Sequence, residues 1–213
     1  MTTIAVIDYG MGNLRSVSQA LHRVTDRARV EVTSDPDQIR RADRVMFPGV
    51  GAIRDCMSEL QRLELAEVLH EVARSKPLLG ICLGMQAFMS RSEENGGIVA
   101  LGLFQGGVRH FRDAFPAAAT GLKVPHMGWN QVYQTRPHPL WRNIDDGSRF
   151  YFVHSYFVDP ADAAVVTGTC EYGLRFAATL GRENIFATQF HPEKSQRAGL
   201  ELLANFVRWD GTA

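Results

Sequence analysis

Pro77-Leu-Leu-Gly-Ile-Cys-Leu-Gly-Met-Gln86 passes from an apolar run into a helical pattern through a G-x-C-x-G core. Pro77–Ile81 is short, apolar and bounded by proline, which reads as a buried strand, and Leu83–Met89 reads as a helix. Strand, sharp turn and helix in that order form a nucleophile elbow with cysteine at its tip. Gly80 and Gly84 stand two residues either side of Cys82, where a side chain would collide across the turn. In open α/β sheets such turns lie above the carboxyl ends of the strands. A thiolate at a helix N-terminus is favoured by the helix dipole and by free N–H groups. The backbone N–H of Leu83 is placed to donate to an oxyanion. A buried packing cysteine between two glycines would give the same five letters, so the decision rests on the remainder of the chain.

Toward the N-terminus the same alternation repeats. Ile4–Ile7 is a short apolar run closed by Asp8-Tyr-Gly10, again a buried strand and turn. Asn13 can cap a helix to about Val24, with Leu14, Val17, Leu21 and Val24 on one face. Val30–Thr33 is a second strand, a short helix follows Pro36, and Arg44–Phe47 is a third strand. Pro48-Gly-Val-Gly51 closes that strand, and helix continues to about Arg74. Strands alternating with helices imply parallel βαβ units, hence an α/β sheet with helices on both faces. The glycines around Val50 allow a backbone N–H of Val50 or Gly51 to aim at a substrate carbonyl, and the peptide to turn toward or away from it.

Toward the C-terminus the pattern changes. Phe150–Val153, Ala164–Thr169, Phe176–Leu180 and Ile185–Phe190 read as strands joined by short turns such as Gly181–Asn184, a hairpin or meander. A last helix, about Ser195–Trp209, turns Leu202, Leu203, Phe206 and Val207 toward the sheet. Phe115–Gly121, with Ala117-Ala-Ala119 inside it, and Ala161–Ala164 read as loops. No linker-like or charged block divides the 213 residues, which predicts one domain over 1–213.

His191-Pro-Glu193 follows the strand ending at Phe190. Residues i and i+2 of a strand share a face about 7 Å apart at Cα. Glu193 can then accept from one imidazole nitrogen while the other faces a thiol, the nucleophile–base–orienter logic of a hydrolytic triad. Pro192 cannot donate to a ladder and puts the pair at a strand end or edge.

Composition narrows the class. Hydrophobic residues are 45% and charged residues 22%, as in ordinary globular proteins. Lys+Arg and Asp+Glu both number 23, so no basic surplus exists to drive phosphate binding, and no nucleic-acid partner is expected. No apolar run approaches the roughly 18 residues of a membrane span, and the first residues lack a signal-peptide pattern. Cys56, Cys82 and Cys170 are too scattered for a disulfide framework, which fits a cytoplasmic protein with free thiols. His22 and His70 sit in helical stretches and read as surface; with His110, His126, His138 and His154 they form no metal-ligand spacing. No metal and no organic cofactor are expected.

Gly80-Ile-Cys-Leu-Gly-Met-Gln86 and Gln189-Phe-His-Pro-Glu-Lys-Ser195 resemble the two signature blocks of class I, triad-type glutamine amidotransferases. Asp8–Leu14, Pro48–Ala52, Val124–Asn130 and Tyr151–Tyr156 are similar, more closely, to the glutaminase subunits that serve a (β/α)8-barrel cyclase in histidine biosynthesis. The resemblance implies a three-layer αβα sandwich around a mixed, mostly parallel sheet, with antiparallel strands in the C-terminal half. It implies that Cys82 attacks the carboxamide of glutamine and forms a thioester, that His191 moves protons, and that Glu193 orients it. Leu83, Val50 and Gly51 would supply the oxyanion hole. Gln86, Glu94, Ser155 and Tyr156 would contact glutamine, a buried carboxylate at Glu94 suiting its ammonium group. Ammonia would pass to the cyclase as a heterodimer partner and join a ribonucleotide intermediate, yielding imidazole glycerol phosphate. Asn13, Trp129 and Lys194 match positions near that interface, although their types alone fit a helix cap, a core aromatic and a solvated lysine. Three alternatives stay open: a glutaminase for another synthase, a partner-binding subunit without activity, and a cysteine peptidase or esterase.

Overall fold

The computed structural model describes residues 1–117, 119 and 121–212. The elements run β1 (Thr2–Ile7), α1 (Leu14–Val24), β2 (Ala28–Thr33), α2 (Pro36–Arg41), β3 (Arg44–Gly49), α3 (Ile53–Arg62), α4 (Leu65–Val72), β4 (Leu78–Cys82) and α5 (Leu83–Ala87). There follow β5 (Met89–Ser92), β6 (Ile98–Val99), β7 (Phe104–His110), α6 (Phe111–Ala114), β8 (His126–Gln131), β9 (Tyr133–Gln134), β10 (Arg149–His154) and β11 (Tyr156–Pro160). The chain ends with β12 (Val166–Glu171), β13 (Arg175–Arg182), β14 (Ile185–Thr188) and α7 (Gln196–Arg208).

Eight strands form the main sheet in the order β2-β1-β3-β4-β14-β13-β12-β9. The pairs from β2 to β14 are parallel, and β14, β13, β12 and β9 pair antiparallel. This is an α/β fold on a mixed sheet. Alternate residues feed two cores: Ala5, Ile7, Val45 and Phe47 pack with Ile53, Leu60, Val68 and Leu69, while Ile4, Val6 and Met46 pack with Val17, Leu21, Leu202 and Phe206. Strands buried on both faces have no polar alternation, which is why they read as continuous apolar runs. Each fully buried Leu, Ile or Phe contributes about 1.5–3 kcal/mol.

Capping sets the helix starts. Asn13 Oδ1 accepts from Ser16 N at 3.4 Å, and Asp35 Oδ1 accepts from Asp37 N at 2.8 Å ahead of Pro36. The single helix expected to reach Arg74 is two. Ile53, Cys56 and Leu60 are buried on the first, but the stripe resumes out of phase at Leu65, Val68, Leu69 and Val72. The chain changes phase at Glu64, whose φ of 57° is left-handed.

Three further expectations need correction. Phe150–Val153 belongs to β10, which does not join the meander; it pairs with β8 in a separate two-stranded sheet. The strand expected from Ala164 starts at Val166, because Asp162 Oδ1 caps a 3-10 turn at Ala163–Val165. The strand expected to reach Phe190 stops at Thr188, and His191 N donates to Tyr151 O on β10 at 2.9 Å, drawing the chain off the sheet. A third sheet, of four strands in the order β11-β7-β5-β6, was not anticipated. The loop read at Ala117–Ala119 lies partly outside the described residues, as do Ala118 and Thr120 of Phe115–Gly121.

Candidate active site

Parallel pairing puts Gly49 opposite Cys82 and Ile81 opposite Thr188, so β3, β4 and β14 end on one line. Cys82 closes β4 with φ 54° and ψ −104°, outside the basins that L-residues favour, and α5 begins at the next residue. Glycine is required on both sides: a Cβ on Gly80 would lie 2.5 Å from the Phe88 ring, and one on Gly84 would strike the Phe47 carbonyl oxygen. The elbow therefore holds the sulfur at the carboxyl edge of the sheet with little of it exposed, Cys82 being 7% accessible.

A cavity of 360 Å³ opens over the sulfur. Its lining brings together Val50, Gly51, Cys82, Leu83, Gln86, Glu94, Ser155, Tyr156 and His191, all singled out in the sequence. Gly51 has φ 102°, a conformation that suits glycine. Pro125, Val153 and His154 complete the lining and were not expected there. His154 had an ordinary reading, and its place next to Ser155 was the only available signal.

His191 and Glu193 meet differently from the strand geometry expected for them. Pro192–Lys194 is a 3-10 turn, and it folds the carboxylate back so that His191 Nδ1 and Glu193 Oε1 are 2.8 Å apart. Both side chains are almost wholly buried, at 2% and 1% accessible. His191 Nε2 has no hydrogen-bond partner among the described residues and lies beside Cys82. Burial alone would lower the His191 pKa, but the adjacent Cys82 sulfur and Glu193 outweigh it and raise the value to about 10. Such a site can hold an imidazolium against a thiolate.

Glu94 is half-buried, not buried as expected, because its carboxylate sits at the start of α3 and accepts from Ile53 N at 3.2 Å. Asn13, Trp129 and Lys194 lie away from the cavity. Asn13 caps α1. Trp129 is 42% exposed, so it is not a core aromatic, and its ring meets Tyr151 edge-on at 6.1 Å. Lys194 Nζ lies 5.9 Å from the same Tyr151 ring. Gln189, absent from the sequence-derived site, is fully buried and points its Nε2 at Cys82 Sγ from 3.7 Å. Among the described residues no three His, Cys, Asp or Glu side chains are grouped to hold a metal ion, and no helix is long and apolar enough to cross a membrane.

A family model described as glutamine amidotransferase class-I matches residues 5–209. The chain belongs to the class I glutamine amidotransferases. Within them it is 59% identical over 209 residues to the imidazole glycerol phosphate synthase subunit HisH of Dechloromonas aromatica, covering 97% of this chain and 96% of the relative. It is 56% identical over 211 residues to the HisH subunit of Acinetobacter baylyi, covering 99% and 100%. Solved structures share the fold at low identity. PurLQS from Thermotoga maritima superposes with TM-score 0.72 at 16% identity, covering 97% of this chain and 98% of that one. A structure described as glutamine amidotransferase gives 0.71 at 14%, covering 96% and 97%.

Proposed function

We propose that residues 1–213 act as one domain, the glutaminase subunit of an imidazole glycerol phosphate synthase in histidine biosynthesis. Cys82 thiolate attacks the carboxamide carbon of glutamine. Leu83 N–H, with an N–H of Val50 or Gly51, stabilises the oxyanion that forms. His191 gives its proton to the leaving nitrogen, so ammonia departs and a thioester remains. Water, deprotonated by His191, then attacks the thioester, and glutamate and the free thiolate are released. Glu193 holds His191 in orientation and stabilises the imidazolium. Gln86, Glu94, Ser155 and Tyr156 bind the amino-acid head group, with Glu94 set against its ammonium.

The observation that carries this reading is the meeting of Cys82, His191 and Glu193 at a cavity lined by Gln86, Glu94 and Tyr156. Identity of 56–59% over nearly the full length to subunits named HisH favours this synthase over others. The partner is a (β/α)8 cyclase, which receives the ammonia, with Asn13, Trp129 and Lys194 near the shared face. Three unpaired cysteines suit a reducing, cytoplasmic setting.

The test mixes this chain with the cyclase of the same organism and measures glutamate release from glutamine, with and without the cyclase's nucleotide ligand. Release stimulated by partner and ligand, and abolished in Cys82→Ala, is the expected result. Absence of glutamate under every condition overturns the chemistry or the partner.

A further inference from the structure

A single hydrogen-bond line runs from the two-stranded sheet to the Cys82 sulfur, and carbonyl chemistry fixes its direction. The Tyr156 carbonyl oxygen can only accept. It takes His154 Nδ1 at 2.8 Å and Gln86 Nε2 at 3.0 Å. His154 Nδ1 therefore bears a hydrogen, and in the neutral ring its Nε2 must accept from His126 Nδ1, 2.9 Å away. His126 Nε2 then accepts from Asn130 Nδ2 at 3.3 Å, and Asn130 also donates to Glu171 O at 2.8 Å. Burial keeps both rings neutral by lowering their pKa values, to about 4 for His126 and about 3 for His154.

On the other side of Tyr156, the second hydrogen of Gln86 Nε2 goes to Gln189 Oε1 at 3.3 Å. Gln189 thereby has its oxygen committed to a donor, which leaves its NH2 facing Cys82 Sγ. Its backbone is held as well, Gln189 N donating to Ala178 O at 2.8 Å. We infer that Gln189 is a further catalytic residue, an N–H donor that stabilises the Cys82 thiolate, and that Gln86, the Tyr156 carbonyl, His154 and His126 position it. This rests on the reading of Cys82 as the nucleophile. A buried N–H aimed at a sulfur favours the charged form over the thiol. The titratable groups around the sulfur are His191, with Glu193 and His154 next to it, Tyr9, and Glu94 in the wall of the same cavity.

The experiment measures carboxamidomethylation of Cys82 by iodoacetamide in the full chain, followed by peptide mass spectrometry, for wild type, Gln189→Met and Gln189→Glu. Methionine keeps the volume without a donor; glutamate keeps the shape and sets a carboxylate against the thiolate. Alkylation at pH 7 slows about tenfold in Gln189→Met, the worth of one charge-assisted hydrogen bond, and more in Gln189→Glu. By pH 9.5 the deficit closes, because hydroxide then forms the thiolate unaided. An unchanged rate overturns the inference, and so does a deficit that is the same at both pH values, which marks a packing defect. Should the variants fail to fold, the side-chain amide ¹⁵N–¹H resonances of Gln189 in the unmutated site decide. They shift when Cys82 is alkylated or replaced in Cys82→Ala, and their indifference overturns the proposal. Neither measurement needs glutamine or the cyclase, so failure here is separable from failure of the proposed function.

Discussion

His191 has Nδ1 committed to Glu193 and Nε2 beside Cys82, so its protonation carries both the chemistry and part of the local stability. Glu193→Gln keeps the shape but can present its NH2 to the ring and reverse the tautomer. Glutaminase kcat is expected to fall about 10²- to 10⁴-fold with KM little changed, read by steady-state glutamate release with the partner present. An unaltered kcat would remove Glu193 from the mechanism. The His191 pKa is raised in the fold, so its contribution to stability is complete below the unfolded value near 6.5. That contribution is lost as pH rises through the window up to about 10. The thermal midpoint of the wild type should therefore decline across that window more steeply than that of His191→Asn. Parallel curves would show that the pair does not act as described. Glu193 and Glu94 were both readable as carboxylates of interest. That one is almost wholly buried behind His191 and the other half-buried at the start of α3 depends on the 3-10 turns that hold them and on where those turns pack against the rest of the chain.

The elbow between β4 and α5 tolerates no side chain at Gly84, because the obstacle is the backbone carbonyl of Phe47 and not a movable group. Gly84→Ala is expected to lower unfolding stability by about 2 kcal/mol or more, measured by urea denaturation, and to displace the sulfur. A variant as stable as wild type would mean that β3 and α5 can move apart. At α1 the Asn13 cap is a lesser device: Asn13→Ala should cost about 1 kcal/mol in the isolated chain, partner absent. No loss there would leave the proposed interface as the reason for this asparagine. The elbow and the Asn13 cap were legible because each is local, fixed by a few adjacent residues, and the parallel strands because apolar runs alternate with helical patterns. The break between α3 and α4 was also written in the phase of the buried stripe, Leu60 to Leu65, but a single apolar periodicity conceals a slip of one residue.

Across the chain, β8 sits in a two-stranded sheet with β10 and turns Met127 and Trp129 outward, at 65% and 42% exposed, while His126 is buried on the opposite face. Large apolar side chains exposed side by side on one face of a strand suit a face that a partner covers. Trp129→Ala should weaken the cyclase complex at least about tenfold while leaving the thermal midpoint of the isolated chain within a degree or two, by calorimetric titration and melting. Equal affinity would place the partner elsewhere. This strand was invisible in advance, since Val124–Asn130 carries a proline and a glycine and lacks the apolar run that marks a strand.

Cys82, His191, Glu193 and the glycine loop Val50-Gly51 were legible in sequence because each belongs to a short pattern whose backbone requirement is local: a turn that excludes side chains, a proline that cannot donate to a ladder, a helix that starts on a nucleophile; Gln86 came only with the family resemblance. The parallel half of the sheet followed from alternating apolar runs. Tertiary structure alone decided the cavity, since its walls come from the ends of β3, β4, β10 and the segment after β14, and strand order is set by packing between distant segments. It also decided that His154 and Gln189 touch the site. Each stands close to a residue singled out in the sequence, Ser155 or His191, but that nearness does not say which side chain turns toward the sulfur, and a buried hydrogen-bond line has direction only once every donor has found its acceptor.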